Sequence, residues 1–269
     1  MILAGRRAWR NDMSDVTEHP GRPRRAGRLT SILIGILCAV LVVVLGFVVW
    51  TQIVMQGTRP AALAVWEDPA VSVTDVGDAV ILAPTADAER PASGTGLVFI
   101  PGAKVDPYAY LYKLSGVVEE AGVTVVITKP TLNLAFFDQR PLETFTAAAP
   151  DVDTWFVGGH SLGGVRACQL AEDPAVTGLV LFGSYCANDL SGSALEVLSL
   201  AGSDDGLSTP EKVADARVRL PADATMVEIG GANHASFGDY GVQPGDGSAT
   251  ISGDEARSEI TRNLVELLG

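Results

Sequence analysis

The eight residues Val157-Gly158-Gly159-His160-Ser161-Leu162-Gly163-Gly164 constrain the backbone of this chain more than any others. They close an apolar, β-branched run and open an alanine-rich helical segment, so a strand-to-helix turn must be made within them. They contain Gly-x-Ser-x-Gly at Gly159, Ser161 and Gly163. A serine held in an unusual backbone conformation at such a turn presents its hydroxyl clear of the main chain, and side chains at the flanking positions would collide with strand and helix. With 29 glycines in the chain the pattern alone is equally consistent with a plain Gly-Ser loop. Its context separates the two readings.

Short strands are expected at Val71–Thr74 and Val80–Leu82, with Gly77-Asp78 as a hairpin signal between them. Leu97–Ile100 is a continuous apolar run ending at Pro101-Gly102, the pattern of a buried strand. Asp106-Pro107 offers an N-cap and a first-turn proline for a helix to about Ala121, where Gly122 stops it. Val123–Ile127 and Trp155–Val157 are the next strands, the second feeding the turn at Ser161. Beyond it come a helix over Leu162–Ala171, strands at Gly178–Phe182 and Val197–Leu200, a helix over Pro210–Arg219 and a strand at Thr225–Ile229. A last helix over Asp254–Leu268 carries Ile260, Leu264, Leu267 and Leu268 on helical spacing. Buried strands alternating with helices imply an α/β fold: a mostly parallel sheet of about 7–8 strands with helices on both faces. Too few residues separate Gly183 from Leu195 for an inserted helical lid, so an open, shallow site is expected.

One segment stands apart. Ile32–Trp50 is 19 residues without a charge, enough at about 1.5 Å per residue to cross a bilayer. Arg6, Arg7, Arg10, Arg22, Arg24, Arg25 and Arg28 precede it, against Asp12, Asp15 and Glu18, which orients the N-terminus to the cytoplasm. A cleaved signal peptide competes with an uncleaved anchor, but its small-x-small site, Ala62-Leu63-Ala64, lies far beyond the apolar run. The expected organisation is a cytoplasmic basic tail at 1–29, a transmembrane signal anchor at 30–52, a linker at 53–64 that includes Gly57-Thr58-Arg59-Pro60, and an extracytoplasmic catalytic domain at 65–269. The chain carries a net charge of −13, and beyond residue 30 it has 12 basic and 29 acidic residues, a surface that repels nucleic acid. Cys38 falls in the span. Cys168 and Cys186 are the remaining pair, and a disulfide and two buried thiols stand as equal alternatives.

A serine nucleophile needs a base, and the base an orienting carboxylate. Of three histidines, His19 falls on the cytoplasmic side and His160 adjoins the serine with its ring expected to point elsewhere. His234, in Gly230-Gly231-Ala232-Asn233-His234 just past the last strand, remains. The turn Gly202-Ser203-Asp204-Asp205-Gly206 supplies the acid, with Asp205 preferred to Asp204 because it stands three residues past the glycine. The N–H groups of Leu162 and Ala103 are the expected oxyanion donors. Lys104 fits a solvated loop lysine better than a substrate ligand. Asn133, Phe136, Phe137 and Tyr185 are candidate pocket residues or packing residues, and the polar loop Ala235–Ser252 a candidate wall of the site. No metal-binding or nucleotide-binding pattern is present, so no cofactor is expected.

Gly158–Gly164, the Gly202–Gly206 turn and Gly231–His234 stand in the order of the three catalytic stations of the α/β-hydrolase superfamily, which the chain resembles over about Ala62–Leu268. It is most similar to compact, lidless members grouped with dienelactone-hydrolase-like proteins. Those usually carry a cysteine nucleophile, and Ser161 in its place favours ordinary ester chemistry over lactones. The resemblance implies a serine esterase using Ser161, Asp205 and His234 on a small acyl substrate, and the apolar span makes it membrane-bound. A peptidase or acyltransferase uses the same triad, and a non-catalytic binding protein uses the same fold. The oligomeric state is left open.

Overall fold

A computed structural model describes residues 25–269, with side chains from residue 28. The basic residues before position 25, their acidic neighbours and His19 lie outside the described residues. The chain forms two compact units that divide within the first helix, one up to Gly46 and one from Phe47 to Gly269. Helix α1 (Arg25–Thr51) contains Arg28–Thr51, a segment long and apolar enough to cross a membrane, and its side chains from Ile32 to Leu45 stand exposed.

The second unit is built on one eight-stranded sheet: β1 (Val71–Asp75), β2 (Ala79–Pro84), β3 (Thr95–Ile100), β4 (Thr124–Thr128), β5 (Thr154–His160), β6 (Val176–Phe182), β7 (Glu196–Gly202) and β8 (Thr225–Ile229). Their spatial order is β1-β2-β4-β3-β5-β6-β7-β8. The β1–β2 hairpin and the β2–β4 pairing are antiparallel, and every later pairing is parallel. The central strands β3 to β7 are buried along nearly their whole length, as unbroken apolar runs require when both faces are covered.

Helices α3 (Leu111–Ala121) and α7 (Gly253–Leu268) cover one face, where Leu114, Val118, Ile260 and Leu264 pack with Leu97, Phe99, Val125 and Phe182. Helix α5 (Leu162–Leu170) and short α4 (Glu143–Thr146) cover the other, with Ala167, Phe145, Val98, Val157 and Leu181. Helix α6 (Pro210–Ala216) follows β7 and continues as a 3₁₀ turn over Arg217–Arg219. Asp106 caps as expected, accepting the Tyr108 N–H at 3.0 Å, but the first turn after it is a 3₁₀ turn over Pro107–Tyr110. Gly122 ends α3 at φ 68°, a value that strains any residue with a Cβ. No lid interrupts Phe182 to Glu196. Instead Cys186 in that connection is disulfide-bonded to Cys168 of α5.

The segment read as a linker is folded. Met55 forms a parallel bridge with Val105, and α2 (Arg59–Trp66) packs on α3 with Val65 buried. Pro60, placed in the linker by the sequence, stands in the first turn of α2, where its missing N–H costs nothing. Ala62-Leu63-Ala64 therefore lies inside a helix.

Candidate active site

β5 runs directly into Ser161, which adopts φ 53° and ψ −123° before α5 begins. Its N–H donates to the Phe182 carbonyl at 3.0 Å, and its carbonyl accepts the Gly164 N–H at 3.0 Å and the Ser184 hydroxyl at 2.6 Å. These bonds hold a conformation that costs roughly 1–3 kcal/mol. The glycines of the motif are steric necessities: a Cβ on Gly159 would lie 2.5 Å from the Gly163 carbonyl carbon, and one on Gly163 would lie 2.0 Å from the Ile100 oxygen. The first turn of α5 therefore sits directly on the loop that leaves β3.

That loop has one unspent amide. Gly102 N–H donates to the Tyr110 hydroxyl oxygen (2.9 Å), Lys104 N–H to the Asn133 carbonyl (2.8 Å) and Val105 N–H to the Gly102 carbonyl (3.2 Å). Among the described residues, the N–H groups of Ala103 and of Leu162, at the start of α5, have no partner. Backbone donors left unpaired beside a serine can stabilise developing negative charge on a bound oxygen.

Asp205 and His234 meet between the loops that follow β7 and β8. Asp205 Oδ2 lies 2.7 Å from His234 Nδ1, while Oδ1 accepts the N–H groups of Leu207 (2.8 Å) and Ser208 (2.7 Å). The adjacent Asp204 instead reaches Thr250 Oγ1 at 3.3 Å. Both Asp205 and His234 are buried. A carboxylate on Nδ1 fixes the proton there and leaves Nε2 as the acceptor. His234 Nε2 is buried without a hydrogen-bond partner, and Ser161 Oγ makes no hydrogen bond among the described residues. The two stations adjoin through the neighbours of Ser161: the His160 and His234 rings are 4.4 Å apart, and Gly183 follows Phe182 to face Asp205 Oδ2.

His160 is not where the sequence reading put it. Its ring packs against His234 rather than pointing elsewhere, fully buried, with Tyr110 Oη 2.9 Å from Nδ1. That oxygen also accepts the Gly102 N–H, so one hydroxyl joins the His160 ring to the loop after β3. Burial, then the nearby His234, holds His160 well below the usual histidine value. It is a neutral wall for the His234 ring, not a second base.

Asp246 escaped the sequence reading. Its Oδ1 accepts the N–H groups of Gly206 (3.1 Å), His234 (3.0 Å) and Gly247 (2.7 Å), and Oδ2 that of Ala235 (2.9 Å). One carboxylate thus clasps the Asp205 turn to the His234 loop, which gives part of the long polar loop a role. The one available signal was an acid between two glycines, Gly245 and Gly247. Asn233 adds a capping box with Ser236 and donates to the Gly247 carbonyl at 2.8 Å.

The candidate pocket residues divide. Asn133 donates from Nδ2 to the Thr51 carbonyl at 3.1 Å, and Phe137 stacks edge-on against Phe47. Phe136 is exposed and Tyr185 half-buried. The Lys104 ammonium lies 3.9 Å above the Trp50 ring instead of standing free in solvent. Among the described residues no three His, Cys, Asp or Glu side chains are grouped to hold a metal ion.

A parallel sheet whose fifth strand enters a strained serine turn, with an acid and a histidine on the loops after β7 and β8, is the arrangement of an α/β hydrolase. Residues 96–258 match the family model described as "Alpha/beta hydrolase family", and the chain belongs to that family. It is similar in fold to a lidless α/β serine hydrolase from Xanthomonas campestris, with a TM-score of 0.52 and 15% identity over 75% of this chain and 96% of that one. It is similar also to an α/β serine hydrolase homologue from Coxiella burnetii, with a TM-score of 0.51 and 15% identity over 73% of this chain and 97% of that one. No curated protein matches the chain.

Proposed function

We propose that the protein is a serine hydrolase that cleaves a carboxylic ester through Ser161, His234 and Asp205. The observation that carries this reading is the 2.7 Å Asp205–His234 pair, whose Nε2 is buried without a partner and whose imidazole lies 4.4 Å from the ring of His160, the residue before the strained Ser161. Ser161 Oγ attacks the acyl carbon and its proton passes to His234 Nε2. The Leu162 and Ala103 N–H groups stabilise the oxyanion. Collapse expels the alcohol, which takes the proton from Nε2. Water then gives a proton to the same nitrogen and attacks the acyl-enzyme; the acyl–Oγ bond breaks, the proton returns from Nε2 to Ser161 Oγ, and the acid leaves.

The same reading treats α1 as an uncleaved anchor with the domain on the extracytoplasmic side. The arginine cluster before the span and the Cys168–Cys186 disulfide support it.

A fluorophosphonate probe should label the protein and spare Ser161→Ala; labelling that survives the substitution removes Ser161 from the mechanism. Absence of Ser161-dependent turnover across a p-nitrophenyl ester series would leave a binding protein on a hydrolase fold.

A further inference from the structure

Resting on that reading, we propose that the site works at the bilayer surface and that its substrate is a membrane-resident lipid acyl ester, received over a lip made by Phe136 and Phe137. The first observation is a chain of four aromatic rings. Trp50 and Phe47, from the last turns of the span, lie 5.9 Å apart; Phe47 meets Phe137 at 5.8 Å, and Phe137 meets Phe136 at 5.4 Å. Phe136 is 70% exposed and Phe137 43%, with Ile53 at 66% beside the end of the span. Adjacent phenylalanines held out in a patch shared with a membrane helix mark a surface that meets lipid. The Lys104 ammonium over Trp50 adds the aromatic and cationic pair favoured at a membrane boundary.

The second observation ties that surface to the chemistry. Thr51, the final residue of α1, is fully buried, and its carbonyl accepts from Asn133 Nδ2. The Asn133 carbonyl accepts the Lys104 N–H, and Lys104 follows Ala103, the proposed oxyanion donor. Met55 then pairs with the same loop, donating to the Lys104 carbonyl at 2.7 Å and accepting from the Asp106 N–H at 2.9 Å. Lys104, Leu132 and Asn133 are, with Ser161, the described non-glycine residues at positive φ. Three strained residues thus sit in the two loops that receive the end of the span. Phe47 to Thr51 belong to the same compact unit as the sheet. A water-borne ester gains nothing from this arrangement, whereas an ester whose acyl chain lies in the bilayer reaches Ser161 without crossing water. The acidic surface beyond residue 30 favours lipids with neutral or zwitterionic headgroups.

The test uses the full chain in phosphatidylcholine vesicles carrying a fluorogenic long-chain acyl ester, with p-nitrophenyl acetate as the water-borne ester and Ser161→Ala as the blank for both. The Phe136→Ser/Phe137→Ser double variant should lower the ratio of vesicle-borne to water-borne turnover by about tenfold or more. In Phe136→Trp, emission beyond that of the parent should be quenched by dibrominated phosphatidylcholine. An unchanged ratio in the double variant, or added emission that escapes quenching in Phe136→Trp, overturns the proposal. Turnover of the water-borne ester alone overturns it and leaves the hydrolase reading standing. Failure of both esters overturns the hydrolase reading itself.

Discussion

Asp204 and Asp205 are neighbours of the same chemistry, yet one reaches His234 and the other a surface threonine. Asp205→Asn should therefore cut kcat by about 10⁴-fold by releasing the His234 tautomer, while Asp204→Asn should change it less than about threefold; steady-state kinetics on one ester separates them. The spacing of the Gly202–Gly206 turn favoured Asp205, because a turn of fixed length returns one side chain to the strand ends, and Asp205 is the one that lies against His234. His160 was not legible in that way. His160 keeps the alternation of β5 and falls on the face of Phe156, but the groups that meet its ring there, Tyr110 and Phe237, come from distant elements, Tyr110 from 50 residues away in sequence. Its burial has a pH consequence. With the folded pKa below the usual 6.5, the unfolded chain binds the proton first. The contribution of the neutral ring is complete above pH 6.5 and is lost as pH falls toward the folded value. Urea midpoints should decline on acidification through this range, and His160→Gln should flatten that decline.

Among the elements, the buried strands were readable because continuous apolar runs admit few other fates. Helix α2 was not, since Pro60 reads equally as a breaker or as a helix start, and only packing on α3 decides. The Asp246 clasp is a tertiary feature of the same kind: nothing local says that one carboxylate serves two loops. Asp246→Asn puts an amide where backbone N–H groups converge. It should lower stability by about 2 kcal/mol and kcat by roughly 10²-fold with KM little changed, read from denaturant unfolding and steady-state kinetics. The disulfide ties α5 to the β6–β7 connection across a sequence separation of 18. Cys168→Ser/Cys186→Ser should cost about 3 kcal/mol in denaturant unfolding, with the Ser161 turn retained through its bonds to Phe182 and Ser184.

On the scale of the whole molecule, the segment from Thr51 to Thr58 is bonded to three of the loops around the site. Thr51 is bonded to Asn133, Met55 to Lys104 and Asp106, and the Thr58 N–H to the Asp239 carbonyl, five residues past His234. Gly57 fits so closely that a Cβ there would lie 2.9 Å from the Ala109 nitrogen. The sequence offered this stretch as a tether, and tethers are commonly the places where surface proteins are shed. Here shedding would be a means of inactivation. A protease site built in at the exposed Gln56 should, on cutting, lower turnover of a water-borne ester by about tenfold before the sheet loses its melting transition. A cell that clipped this protein from its surface would release a folded domain and silence it by the same cut.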